Sequence, residues 1–171
     1  AMCGIVGHVG HTCSERSLDV VMGGLSRLEY RGYDSAGVAL THGAHDDGGE
    51  LAIVRAVGKL ERLREALAEE TLAPSRSAIG HTRWATHGGV TLANAHPHAS
   101  MDRRLALVHN GIIENADALR AELRAHGYRF ASETDTEVVV HLLDRAFHDA
   151  STPTWGGELP GLDGTDAERG R

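Results

Sequence analysis

Apolar spacing changes several times between Cys3 and Ala150, from alternate residues to every third or fourth, so the chain must build strands and helices together. Residues 3–10 are glycine-punctuated and weakly alternating, which predicts a short, closely packed strand ending in a turn. Residues 15–29 place Leu18, Val21, Met22, Leu25 and Leu28 at helical spacing, with Gly23-Gly24 marking a bend or a close contact. Residues 36–40 and 51–57 read as strands joined by the polar stretch 41–50, and residues 60–70 as a helix. Short strands are expected at 77–81 and 105–108, with polar segment 82–98 between them. Asn115 is placed to cap a helix carrying Leu119 and Leu123, and Gly127 to end it. Thr134 and Glu137 have capping-box spacing ahead of Val138, Leu142 and Leu143. Beyond Ala150 the periodicity ends, so the patterning predicts an α+β domain over 2–150 and a tail over 151–171.

Composition narrows the classes. With 171 residues, 41% hydrophobic and 24% charged, the chain can bury one sizeable core. A formal net charge of −7 gives no support for binding nucleic acid. No apolar run approaches the roughly 20 residues of a bilayer span, so no membrane partner is expected. Cys3 and Cys13 form no CxxC pair, and a core of this size does not need a disulfide; a reducing cytoplasm is the expected location. Ala1 ahead of Met2 reads as a processing scar with Met2 as the initiator.

Several segments carry groups capable of chemistry. Cys3 reads either as a buried structural thiol or as a nucleophile, and in the second case its own α-amine, if unblocked, accepts the thiol proton. In residues 81–88, Arg83 can grip a carboxylate through two parallel hydrogen bonds, Trp84 can cover a site, and Thr86 and His87 can add polar contacts. The same stretch also reads as a surface loop with an ion pair and a packed tryptophan. Asn110 and Gly111 offer an amide and a backbone N–H suited to an oxyanion, although Asn-Gly is equally a common turn. Asp135 serves either as a helix cap or as the receiver of an ammonium group. His96-Pro97-His98 with His81, His87 and His109 invites a metal reading, but the spacing matches no strong signature, and no phosphate-cradling glycine loop is seen. No metal and no cofactor are expected.

Residues 2–7, 30–37, 81–88, 94–98, 109–115 and 132–137 together resemble, in the same order, the glutaminase domain of glucosamine-6-phosphate synthase. That domain is a class II, N-terminal-nucleophile glutamine amidotransferase. The resemblance implies an α/β/β/α four-layer sandwich in which Cys3, once exposed as the first residue, attacks the side-chain amide of L-glutamine. It further implies that Asn110 and Gly111 stabilise the oxyanion, while Arg83 and Asp135 grip the α-carboxylate and α-ammonium, assisted by Thr86 and His87. Trp84 would belong to a mobile cover, Arg31 would support the nucleophile region, and His96 would support the pocket without a chemical step.

The family's later strands have no counterpart after Ala150, so the fold is expected to be incomplete on its C-terminal side. Its edges would then favour a homo-oligomer or a complementing chain. The implied partner for ammonia is a sugar-phosphate isomerase domain or subunit. Two alternatives stand beside this reading: a catalytically silent glutamine-binding or partner-interaction module, and the glutaminase of another ammonia-transfer enzyme.

Overall fold

A computed structural model describes residues 3–41, 51–85 and 88–151. The expected loop 41–50, apart from Thr41, and the tail from residue 152 lie outside the described residues. Four strands form one antiparallel sheet in the order β1-β4-β2-β3: β1 (Gly4–Ser14), β2 (Ser35–Leu40), β3 (Ala52–Val57) and β4 (Ser75–Arg83). Helix α1 (Arg16–Leu28) lies against β1 and β4, and α2 (Leu60–Ala68) against β3.

Glycines set the closeness of this packing. A Cβ at Gly24 would stand 2.7 Å from Val6 Cγ1, and one at Gly80 would meet Val21 and Leu25, so helix and sheet approach as backbones. Gly24 therefore fulfils the close-contact expectation, while Gly23 faces open space. Val21, Leu25, Val38, Val54, Leu60 and Leu63 fill the core between these layers.

The opposite face of the sheet carries Gly37 and Arg55, and segment 93–96 lies on it. Arg55 Nη1 donates to the carbonyls of Ala95 (3.2 Å) and Ala93 (3.4 Å), and the carbonyl of His96 abuts Gly37 Cα. This segment leads into a two-stranded antiparallel sheet, β5 (His98–Ala99) with β6 (Ala106–Leu107). Helix α4 (Asp135–Ser151) packs against both strands, and α3 (Ala116–Ala125) packs on α4 around Leu123 and Val138. The resulting order is helix, sheet, sheet, helix, as the resemblance implied, with two strands in the second sheet among the described residues.

Several boundaries differ from the sequence reading. Strand β1 runs on to Ser14 through an irregularity: Val9 pairs with Ser77 and Ser14 with Ser75. Strand β4 is nine residues long instead of five, because its polar end, Thr82 and Arg83, is buried in the sheet. Strand β6 keeps only two residues of the expected four. Asn115 occupies the N-cap position of α3 but makes no side-chain cap bond. The capping box at α4 is also rearranged. Glu137 reaches past Thr134 to accept from the N–H groups of Ala131 (2.8 Å) and Ser132 (2.7 Å), while Thr134 Oγ1 turns to Ser132 and His98. Gly127 ends α3 as expected, with φ +90° and a Schellman pair of bonds, Gly127 N–H to Arg124 and Tyr128 N–H to Leu123. Cys3 and Cys13 are both thiols. No helix among the described residues is long and apolar enough to cross a membrane.

The seating of segment 93–96 on Gly37 yields a test. Gly37→Ala drives a methyl into the His96 carbonyl and should destabilise by about 1–3 kcal/mol. Gly7→Ala, on the same face with nothing within 4 Å of its added Cβ, should stay within about 0.5 kcal/mol. Urea unfolding measures both, and equal midpoints would contradict the packing described.

Candidate active site

The pairing of β1 with β4 positions the first functional side chain. Gly4 sits opposite Thr82, so Cys3, one residue earlier, falls beside the end of β4. Gly4 N–H donates to Thr82 Oγ1 at 3.1 Å, and a side chain at residue 4 would collide with Leu28 and Thr82. The Cys3 sulfur accepts the Trp84 N–H at 3.2 Å. Arg83, the last residue of β4, is 5% exposed and donates to the Gly89 carbonyl at 3.4 Å. Trp84 emerges from the sheet 45% exposed, at the start of a loop.

Two side chains that the sequence reading did not single out hold this loop. Asp34 accepts the Ala85 N–H at 2.5 Å and a bond from Ser35 Oγ at 2.9 Å, while its own N–H donates to the Arg83 carbonyl. Asn94 spans the next stretch: its amide nitrogen donates to Gly89 O and Glu133 Oε2, and its oxygen accepts the Glu133 N–H. A buried amide in an irregular segment was the available signal for Asn94, but its partner Glu133 lies 39 residues away in sequence. Thr86 and His87 lie outside the described residues.

The second wall is the loop 109–113, tied down by five contacts. His81 Nε2 lies 2.7 Å from Asn110 Oδ1, and Asn110 Nδ2 donates to the Cys3 carbonyl at 3.3 Å. His109 N–H donates to His96 Nδ1 at 3.4 Å, and the His109 ring contacts Thr136 Oγ1. Ile113 N–H donates to Asp135 Oδ2 at 2.7 Å. Beneath the loop, His81 stacks on His96 with centroids 4.3 Å apart, and His98 meets His96 edge-on at 4.7 Å. Burial pushes all three imidazoles down, His81 and His98 to about 4 and His96 further. The rings are therefore neutral supports at ordinary pH.

These walls enclose a cleft of about 380 Å³. Cys3, Arg31, Arg83, Trp84, His96, Asn110, Gly111 and Asp135 all line it, so eight of the ten residues singled out from the sequence converge. The cleft places a thiol, amide and backbone donors, a guanidinium and a carboxylate around one volume. Such a set can hold a zwitterionic α-amino acid by both charged ends and present its side chain to the sulfur. Asp135 begins α4 and also lines the cleft.

A family model for the glutamine amidotransferase domain matches residues 62–156, a stretch that includes Arg83, Asn110, Gly111 and Asp135. Among similar proteins is a glutamine–fructose-6-phosphate aminotransferase (isomerizing) of Streptomyces coelicolor. It is 60% identical over 142 residues, covering 83% of this chain and 22% of that protein. A protein of the same name from Leifsonia xyli is 54% identical, covering 88% and 23%. The chain thus spans less than a quarter of the length of these relatives. Two solved structures share the fold at 30% identity, each covering 82% of this chain and 29% of the other. One is titled the allosteric regulatory enzyme of purine biosynthesis (TM-score 0.66), the other a glutamine phosphoribosylpyrophosphate amidotransferase from B. subtilis (TM-score 0.61).

The neutral histidines fix the acid response of the fold. Between about pH 6.5 and 4 the unfolded chain binds protons at positions 81 and 98 that the folded chain refuses. Stability must therefore rise with pH across that window and fall on acidification. Urea midpoints are expected to decline from pH 6.5 downward, above the carboxylate range, and His98→Gln should flatten the decline. An unchanged slope in that variant would contradict the assignment.

Proposed function

This chain belongs to the glutamine amidotransferase domain family, and on that premise we propose that its cleft hydrolyses the side-chain amide of L-glutamine with Cys3 as the nucleophile. The observation that carries the reading is the convergence of Cys3, Arg83, Asn110, Gly111 and Asp135 on one cleft. Arg83 receives the α-carboxylate through charge-assisted hydrogen bonds, and Asp135 receives the α-ammonium. The Ile113 N–H already fixes one oxygen of Asp135, which sets the direction of the other. Glutamine held by these ends extends its amide toward Cys3.

The sulfur attacks the amide carbon, and the thiol proton passes to the α-amine of Cys3 when that residue is the first of the chain. Such an amine titrates at about 7.7–8.0 and so can both accept and return the proton near neutrality. The negative charge that develops on the amide oxygen meets Asn110 Nδ2 and the Gly111 N–H. Collapse expels ammonia with the returned proton and leaves a glutamyl thioester on Cys3. Water then adds to the thioester, aided by the same amine, and glutamate departs with the thiol restored.

Trp84, at the exposed start of its loop, covers the reacting centre. Thr86 and His87 are assigned substrate contacts on the family resemblance, and Arg31 supports the nucleophile region. His96 supports the pocket through the His109 backbone and takes no chemical step. Residues 2–150 form the glutaminase portion and residues 151–171 a trailing segment.

The names of the relatives support glutamine–fructose-6-phosphate amination as the wider reaction, with ammonia passing to a sugar-phosphate isomerase domain or subunit that converts fructose 6-phosphate to glucosamine 6-phosphate. A cytoplasmic setting and a homo-oligomer or complementing chain complete the reading.

Intact-mass measurement after exposure to an electrophilic glutamine analogue tests the nucleophile. A chain beginning at Cys3 should gain one adduct, and Cys3→Ala none. With Ala1 and Met2 retained, the Cys3 nitrogen is an amide, and labelling should slow by about 10²-fold or more. Equal rates for both termini would refute the proposed base. Arg83→Ala should raise KM for glutamine about 10- to 100-fold with kcat little changed, since a charged hydrogen bond is worth about 1.5–3 kcal/mol.

A further inference from the structure

The oxyanion assignment leaves one requirement unexplained, namely what makes the Asn110 amide present its nitrogen, and not its oxygen, to the reacting centre. Asn110 sits on an exposed loop, where a side-chain amide rotates readily between two nearly isosteric orientations. Only one of them is useful. With the oxygen turned inward, the residue would repel the charge it is supposed to stabilise.

We propose that His81 is the positioning residue that locks the Asn110 amide, through an Nε2–H to Oδ1 hydrogen bond, with its NH2 group facing Cys3. This inference rests on the glutaminase reading above. The imidazole is fully buried in β4 and stacked on His96, so it is a fixed reference against which an exposed amide can be held. Its Nε2 lies 2.7 Å from Asn110 Oδ1, and its Nδ1 has no hydrogen-bond partner among the described residues. Buried and neutral, the ring carries one proton. Placing that proton on Nδ1 would bury an orphaned N–H, which proteins avoid more strictly than an unused lone pair. Placing it on Nε2 makes the ring a donor, and a donor accepts only the oxygen side of the amide as its partner. The other edge of Asn110 agrees independently. Nδ2 donates to the Cys3 carbonyl at 3.3 Å, and a flipped amide would set two carbonyl oxygens against each other there. Both contacts select the same orientation.

The test uses the chain beginning at Cys3. His81→Phe keeps a flat ring on His96 but removes the donor, and should lower kcat about 10- to 100-fold with KM within about threefold. Complete loss of an oxyanion donor, at about 10²–10³-fold, bounds the effect. His81→Gln, which can still donate, should recover part of kcat. In an Asn110→Ala background, His81→Phe should cost no further activity, whereas a general packing defect would lower kcat in both backgrounds. Wild-type kcat in His81→Phe, or an equal loss in both backgrounds, overturns the proposal. Nitrogen-15 NMR of the unsubstituted chain reads the His81 tautomer directly: Nε2–H supports the proposal, and Nδ1–H overturns it, whether or not the variants fold. An unsubstituted chain that neither turns over glutamine nor takes the label would instead count against the glutaminase reading, and the tautomer measurement would still decide the role of His81.

Discussion

The antiparallel pairing of β1 with β4 is the constraint on which the cleft depends. By setting Gly4 opposite Thr82, it delivers the Cys3 sulfur to the Trp84 N–H and brings Arg83 alongside. A one-residue slip would turn every side chain of β1 to the opposite face and carry the sulfur away from its neighbours. Two absent side chains make the pairing possible. Gly4 lets the start of β1 press on Leu28 and Thr82, and Gly80 lets α1 descend on the centre of the sheet. The apolar core on that side therefore acts as the clamp that holds the chemistry in register.

The other face of the same sheet is built on a different principle. Where α1 covers aliphatic side chains, segment 93–98 and the loop 109–113 cover His81, Arg83 and Arg55. Polar groups in such a layer are tolerable when partnered, and most here bond to backbone or side chains of a neighbouring loop. Arg55 holds the carbonyls of Ala93 and Ala95, Asp34 holds the Ala85 amide, and Asp135 holds the Ile113 amide. The loops around the cleft are thus pinned by side chains of neighbouring segments, which gives irregular backbone the fixity that regular structure has through its own ladder.

The elements with plain periodicity were legible in the sequence. Helix α1 falls where Val21 and Leu25 place it, and α4 begins at the expected boundary. Reading was poorest where burial and polarity coincide. Thr82 and Arg83 look like loop residues because strand patterning rewards apolar character, yet they extend β4 into the site. Glu137 announces the start of α4, but its carboxylate bonds to Ala131 and Ser132, a detail that depends on how the chain enters the helix. Cys3, Arg83, Asn110, Gly111 and Asp135 carry groups capable of chemistry, but each kept an ordinary structural reading until the ordered motifs were matched to the glutaminase family. Asp34, Asn94 and His81 could not be given their roles, since each acts across roughly 30 to 50 residues of sequence on a partner that only the fold brings near.

The irregularity in β1 carries a consequence for how this scaffold can vary. Between Val9 and Ser14 the strand uses five steps while β4 uses two, so the surplus bulges away from the ladder. His11 and Thr12 are exposed there. Length changes in that arc can be absorbed by altering the bulge, leaving the six pairs from Gly4 to Val9 in place. The bulge thus acts as an expansion joint between the distal end of the sheet and the end that lines the cleft.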